Sequence, residues 1–585
     1  MKNKKREARK GGGPPAVAAA AAPAPHPQWH YALGVLAAGI VVLWAYWPSM
    51  SGPFLFDDNF LPFAVSNIST RPLSAFLHGQ RPLLMATYWL SARLSPEDTW
   101  WFHFLNVLIH CVTAGLVFFI VRRLLAWANA GESRRGLLAG LAAALFLLHP
   151  AQTEAVSYVA GRSDALSVMM AFAAFTVFLY RGQSAASWKT AAAVLLLFGA
   201  ALASKEDTIA LPALLLLTDF WWSPGSRWEG IRRNWRIYGP MALGSLAGVA
   251  YAWKLITHAT TAGFGLKEFT WYQYFFTQWR AIPVYLGIFL WPANLTLDWD
   301  FPISHTVLEH GAIFWLAILL ALAAAAWRLR RKYPLASYGF LVFLILLAPT
   351  SSILPIRDPI AERRLYFAML GLLLIVVDVL ARIKVDRQML AAGGLALVLL
   401  AALVTRARAE VWSDELSLWQ DTARKSPRAW RPHFQLGFAY FKAQRYEEAR
   451  EEFEKTAELH PADPDLLLDW GLAYDNLNQL QPALEKLQQS AALHPTAHVF
   501  SQIGMVYGKL EKWPEALTAL STAEKLDPNF PETYVYRAKV YIKTNDWANA
   551  LQDDRRALGL DPNNSNARHD LQVVVNQLRA NSDGK

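Results

Sequence analysis

Two adjacent carboxylates, Asp57 and Asp58, follow the first apolar run of the chain by only a few residues, within Phe54-Leu55-Phe56-Asp57-Asp58-Asn59. An acidic group beside a bilayer is costly unless it is solvated or used, so a pair there is a site hypothesis by default. Taken alone, the pair reads as two solvated interface residues. Three further sets of charged residues change that reading: His149-Pro150 with Glu154, Arg162 and Asp164; Lys205-Glu206-Asp207; and Arg357-Asp358 with Glu362-Arg363-Arg364-Leu365-Tyr366. A carboxylate pair can deprotonate or orient a hydroxyl nucleophile, while Lys and Arg can hold and neutralise a phosphate leaving group. A sugar carried on a lipid phosphate needs that division of labour, with its tail between spans, its phosphate at the interface and its acceptor arriving from water. Singly, Arg162 with Asp164 and Lys205 with Glu206 read as local neutralising pairs. Their concentration on one face points to a polar cavity there.

The elements that must position these residues are predominantly membrane helices. Of 585 residues 54% are hydrophobic and 25 are Trp, although the C-terminal third is polar, so the composition is that of a polytopic membrane protein joined to a soluble domain. The net charge of +10 comes largely from Lys and Arg beside apolar segments, which suits the positive-inside rule. No basic face with interleaved aromatics occurs in the soluble part, so nucleic acid is not an expected partner. Cys111 is the only cysteine and lies in an apolar run, which excludes an internal disulfide and a Cys-based zinc site.

Residues 1–28, rich in Lys and Arg and then in Gly, Pro and Ala, are expected to be a disordered cytoplasmic N-terminus. The run Tyr31–Trp47 lacks a small-residue cleavage site and reads as an uncleaved first span. Further spans are expected near Phe104–Val121, Leu137–Leu148, Ala165–Leu179, Thr190–Ala203, Ile209–Trp222, Tyr238–Ile256, Ala312–Trp327, Tyr338–Leu347, Phe367–Ala381 and Met389–Val404, eleven in all. The odd number puts the chain ends on opposite sides of the membrane. The basic clusters at Arg122-Arg123, Arg181/Lys189, Arg227–Arg236, Arg328–Lys332 and Arg382–Arg387 fall in alternate loops, as that topology requires. The segment Trp271–Trp291 carries Arg280 and Pro283 and reads as an interfacial or re-entrant helix on the outer face. A transmembrane domain over 29–406 is therefore followed by a soluble domain over 407–585.

The soluble part repeats. Leu436-Gly437, Tyr440, Ala449, Phe453 and Pro461 recur as Trp470-Gly471, Tyr474, Ala483 and Pro495, then as Gly504, Tyr507, Ala516 and Pro528, then as Ala538, Tyr541, Ala550 and Pro562. The prolines recur at close to the roughly 34-residue period of tetratricopeptide helix pairs. The fold class is accordingly all-α, a bundle of about eleven spans followed by a tetratricopeptide α-solenoid. Ser413–Pro427 reads as a partial repeat joining the array to the last span, and Ser565–Arg579 as its capping helix. By the topology above, the array lies outside the cytoplasm and offers a groove to a protein or peptide acceptor.

From the first span to the final repeat, the chain also resembles the transmembrane and tetratricopeptide-repeat O-mannosyltransferases and their bacterial relatives, within the GT-C superfamily of polyprenyl-phosphate-dependent glycosyltransferases. The landmarks are Phe56-Asp57-Asp58, Arg81-Pro82-Leu83, Phe104–His110, His149-Pro150 with Thr153-Glu154, Gly161-Arg162-Ser163-Asp164, Ser204-Lys205-Glu206, Thr277–Arg280, Leu297-Asp298 and Ala361–Tyr366, in family order. The resemblance implies that Asp57 is the catalytic base, with Asp58 beside it in acceptor positioning. It implies that Lys205 and Arg363 or Arg364 bind the donor phosphate. Around them His149, Glu154, Arg162, Asp164, Glu206, Arg280, Asp298, Glu362 and Tyr366 are implied to shape the sugar or acceptor pocket. Bacterial relatives favour Glu-His-Arg-Leu-Tyr and eukaryotic ones Glu-Arg-Val-Leu-Tyr at the last cluster; this chain has an arginine at both positions, so either one is a candidate for the phosphate.

The expected activity is transfer of a sugar, mannose by the resemblance, from a polyprenyl-phosphate donor to protein Ser/Thr hydroxyls or a glycan, with inversion at the anomeric carbon. The lipid-linked sugar is a co-substrate, no tightly bound cofactor or metal site is expected, and dependence on a divalent metal is left open. The expected location is a bacterial inner membrane with the repeats extracytoplasmic, or an endoplasmic-reticulum membrane with lumenal repeats. Two other classes fit the composition, a non-catalytic membrane scaffold and a lipid-linked glycan transporter. The Asp pair discriminates, because a scaffold would tolerate its loss and a glycosyltransferase would not.

Overall fold

The fold is described from a computed structural model for residues 29–60, 71–94, 98–181, 185–222, 227–245 and 263–583. The segment 1–28 and residues 246–256 of the seventh expected span lie outside the described residues. No β-strand occurs among the described residues, so the chain is all-helical as its apolar runs and repeats predict.

A helix accompanies every expected span over its described residues. Among the described residues, five of these helices are long and apolar enough to cross a bilayer: Trp100–Trp127, Arg162–Tyr180, Glu309–Leu329, Glu362–Arg382 and Arg387–Val411. The pair Glu132–Leu148 and Pro150–Ser157, bent by 53°, is a sixth if counted as one span. Others are shorter than those five, among them Trp188–Leu202, Leu211–Trp222 and Pro334–Leu347. Pro48 tightens the end of the first helix, Trp29–Tyr46, into a 3-10 turn, and Pro150 opens the bend after Leu148. The helix Trp271–Leu290 carries Pro283 inside and packs on Ala312–Leu329; it is not one of the helices that meet the spanning criterion.

Burial separates an inner from an outer set. The spans Glu362–Arg382 and Arg162–Tyr180 are 72% and 67% buried and form the centre, whereas Glu309–Leu329 and Arg387–Val411 are 11% and 17% buried. Large apolar side chains such as Leu36, Ile40, Phe314, Leu320, Leu400 and Leu403 stay exposed on the outer helices, as lipid-facing residues do. The chain is a multi-pass membrane protein. At the centre, Pro334–Leu347 and Leu365–Arg382 cross so closely that a Cβ on Gly339 would lie 2.5 Å from the Gly371 carbonyl oxygen, which only glycine permits.

The last span runs on to Val411, past the expected boundary at Arg406, and leads through Glu415–Lys425, capped by Asp414, into the array. Four helix pairs follow, beginning with Trp430–Lys442 and Tyr446–Leu459, and Ser565–Asp583 closes the stack. A Cβ at Gly437, Gly471 or Gly504 would meet Phe453, Leu487 or Leu520 of the partner helix at 2.5–2.8 Å, which accounts for a small residue at each.

Candidate active site

Asp57 and Asp58 sit in one 3-10 turn, Phe56–Phe60, and their side chains have opposite surroundings. Asp58 is fully buried. Its Oδ2 accepts from the Leu55 N–H at 3.1 Å and its Oδ1 from the Ala160 N–H at 2.7 Å, pinning the loop after the first helix to the Tyr158–Gly161 turn. That turn needs glycine at 161, where a Cβ would lie 2.7 Å from the Glu154 carbonyl oxygen. Burial pushes the Asp58 carboxyl up to about 7; the two N–H donors and Arg162 pull the other way, and neighbouring Asp57 adds to the rise. Asp57 is exposed, and its carboxylate has no hydrogen bond or ion pair among the described residues. Its backbone N–H donates to the Tyr158 hydroxyl at 2.9 Å. The turn is strained at Phe56, whose φ of 45° costs on the order of 1–3 kcal/mol and persists only where packing over-determines it.

Tyr158 links this loop to the cations, since Asp57, Asp58 and Arg363 all lie within electrostatic range of its hydroxyl. Glu154 grips Arg363 twice, accepting from its backbone N–H at 2.8 Å and from its guanidinium. The Glu154 side chain is 1% exposed and that of Arg363 24%, so the arginine keeps a free edge while its partner is enclosed. Lys205 bridges Asp164 at 2.7 Å and Asp207 at 3.2 Å, and Asp164 also lies within range of Arg363. Arg81 and Glu206 form a two-point pair at 2.7 and 3.1 Å on the exposed side. The structure thus brings together Asp57, Asp58, Glu154, Asp164, Lys205, Glu206 and Arg363, and adds Tyr158 and Arg81.

The remaining predicted residues have other engagements. Arg162 is completely buried, donating to Asn106 Oδ1 at 2.7 Å, Phe102 O at 2.6 Å, and Thr87 O and Ser91 Oγ at 3.0 Å, over the Tyr88 ring. Asn106 in turn donates to the carbonyls of Val156 and Tyr158, so Arg162 reaches the site through the backbone it steadies. Arg364 donates to Asp358 O, Pro359 O and the Tyr274 hydroxyl. Glu362 is buried and accepts from Thr296 N–H at 2.5 Å. Tyr366 meets His110 Nδ1 at 2.8 Å inside the bundle, and His149 stacks on Phe289 with its Nε2 on the Phe289 carbonyl. Arg280 binds Pro302 O and Ser304 Oγ, and Asp298 pairs with Arg431 of the first repeat at 2.5 Å.

Two participants escaped the sequence reading. Tyr158 stands between Glu154 and Arg162, where an aromatic residue in a short loop was a local hint. Arg431 had none, because its position inside a repeat helix is accounted for by the repeat itself. Chemically, the cluster offers an exposed carboxylate able to accept a proton, and two partly exposed cations, Arg363 and Lys205, able to meet a phosphate.

Family models described as tetratricopeptide repeats match residues 430–463 and 502–565. Protein O-mannosyl-transferase Tmtc1 of Drosophila melanogaster is 28% identical over 302 residues, covering 46% of this chain and 34% of the relative. Protein O-mannosyl-transferase TMTC1 of Homo sapiens is 23% identical over 513 residues, covering 75% of this chain and 57% of the relative. The chain thus spans between a third and just over half of these relatives' length. Among solved structures, YrrB, a tetratricopeptide protein with an unusual peptide-binding site, is 22% identical and covers 26% of this chain and 80% of its own, with a TM-score of 0.24.

Proposed function

We propose, from the premise that this chain is a relative of the transmembrane and tetratricopeptide-repeat protein O-mannosyltransferases, that it transfers mannose from a polyprenyl-phosphate donor to a protein hydroxyl on the extracytoplasmic face. Asp57 takes the hydroxyl proton as the acceptor oxygen attacks the anomeric carbon from the side opposite the phosphate. The bond from that carbon to the phosphate oxygen breaks, and the polyprenyl phosphate leaves with the electron pair, its charge met by Arg363 and Lys205. Direct displacement inverts the anomeric centre. Asp58 holds the turn that presents Asp57, and the tetratricopeptide array is the protein-interaction domain that brings the acceptor.

The observation that carries this reading is the position of Tyr158, which holds the Asp57 backbone on one side and has Arg363 within electrostatic range on the other. That arrangement supports a base and a leaving-group cation acting across one small site. The test is transfer from polyprenyl-phosphate mannose to a Ser/Thr peptide by purified protein in lipid nanodiscs. Asp57→Asn should lower turnover by about 10²–10⁴-fold, the range of a positioned general base, with folding intact because the carboxylate is exposed. A well-folded Asp57→Asn protein with ordinary turnover removes Asp57 as the base, whereas wild-type protein that transfers nothing returns the chain to the scaffold or transporter class. Location is tested separately by Lys512→Cys in a Cys111→Ala background, which should react with a membrane-impermeant thiol reagent added from the extracytoplasmic side.

A further inference from the structure

The first repeat touches both halves of the candidate site. The Phe56 ring, one residue before Asp57, meets Trp419 edge-on at 5.6 Å between centroids, and the Arg431 guanidinium carbon lies 5.6 Å from the Phe56 ring centre. Leu55 and Tyr158 share one apolar cluster with Leu297, Trp412, Trp419 and Leu436, so membrane-domain loops and repeat helices form a common core. On the cation side, Arg431 Nη2 donates to Asp358 at 2.8 Å and Nε to Asp298 at 2.5 Å. The Asp358 carbonyl holds Arg364 at 2.6 Å, and Arg364 is the neighbour of Arg363. Lys425 donates to Leu295 O and Ser426 to Asp298 O, closing the repeat onto the loop whose Thr296 N–H binds Glu362.

We infer that the helices Glu415–Lys425 and Trp430–Lys442 are a wall of the transfer site rather than the start of a tethered arm, and that Arg431 is a positioning residue. It ties the strained Phe56 beside Asp57 to the Asp358 loop beside Arg363, setting the distance between base and leaving-group cation. A surface ion pair joining two freely hinged domains would have no apolar core beneath it and would not support a left-handed phenylalanine. This inference rests on the transferase reading for its kinetic consequences, but its structural content does not.

Two measurements test it on the full chain. In membranes, Asp300→Cys with Arg428→Cys in a Cys111→Ala background should join efficiently through a short bis-maleimide, since these residues form a rim pair at 2.8 Å. The joined protein should still transfer mannose to a small soluble acceptor. Failure to join, or loss of transfer on joining, overturns the wall. In the second measurement, Arg431→Ala should lower kcat for the same small acceptor by roughly 10²-fold, the cost of misplacing reacting groups by about an ångström. Its donor KM and melting temperature should stay close to those of Arg428→Ala, which loses a largely exposed pair of the same interface. Arg431→Lys, keeping the charge but reaching one carboxylate at a time, should recover part of kcat. Equal turnover in Arg431→Ala and Arg428→Ala means the arginine merely glues domains together. The cross-link needs no donor, so it decides the wall even where wild-type protein transfers nothing, a result that sinks the transferase reading instead.

Discussion

Glu154 accepts from both the backbone N–H and the guanidinium of Arg363, two residues 209 positions apart, so one enclosed carboxylate fixes the place and the orientation of one arginine. Removing either partner has unequal consequences. Arg363→Ala leaves Glu154 buried without its cation, and breaking a buried pair from one side typically costs about 3–5 kcal/mol. Arg363→Ala with Glu154→Gln should therefore be more stable than Arg363→Ala alone, while donor binding stays weak in both. Thermal melts and donor titrations on the four members of the cycle read the two effects separately, and restored donor affinity in the double variant would show that Arg363 serves only to neutralise Glu154. Lys205→Ala should weaken donor binding as well, because it removes a second charge-assisted contact worth roughly 1.5–3 kcal/mol.

Asp58 links the site to pH. Its folded carboxyl sits near 7, above the ordinary 3.8, so the folded state holds the proton more tightly than the unfolded chain does. The stability this contributes is fully present below the ordinary carboxylate range and is lost as pH rises through about 7. Melting temperatures of detergent-solubilised protein should accordingly fall across that window. Asp58→Asn should melt lower at acid pH, having lost one backbone contact, but with a flatter slope. An unchanged slope would assign the pH dependence to another group.

Arg162 is predicted to be a staple. It has four protein acceptors within 3.0 Å and no exposure, and a lysine cannot reproduce that fork. Arg162→Lys should lower the melting temperature markedly and reduce the yield of folded protein, with the donor KM of the surviving fraction close to wild type. A folded variant of normal melting temperature with a raised donor KM would move Arg162 into the binding pocket.

Where the repeats are cut should decide what is lost. Deleting 464–585 keeps Arg431, Leu436 and the cluster around Trp419, so transfer to a small acceptor should survive while transfer to a protein acceptor falls. Deleting 429–585 removes Arg431 together with Leu436 and Ala439 of that cluster and should abolish both. Equal activity of the two truncations on the small acceptor would contradict the wall.

The legible part of this protein was whatever is local. Apolar runs specify membrane helices because a backbone in lipid must satisfy its own hydrogen bonds, and the spacing of Gly437, Gly471 and Gly504 with their prolines specifies helix pairs. Helix ends were less legible, since a helix runs on through flanking residues that hydropathy does not mark, as Trp100–Trp127 does beyond Phe104–Val121 and Arg387–Val411 beyond Met389–Val404.

The identity of the chemistry-bearing residues was likewise a property of the sequence, but their division into free and engaged groups was decided by tertiary structure. Asp57 and Asp58 are chemically identical neighbours; in a 3-10 turn with three residues per turn, adjacent side chains point in different directions, and only the approach of Ala160 makes one a buried acceptor and leaves the other open. The same holds for Arg363 and Arg364, separated by whether Glu154 or the Asp358 and Pro359 carbonyls come near. Arg431 is the extreme case. Nothing within its helix distinguishes it, and it joins the site only because the last span continues into a helix that folds the first repeat back over the loops that carry Asp298 and Asp358. Contacts made across tens to hundreds of residues depend on packing, and no sequence period encodes them.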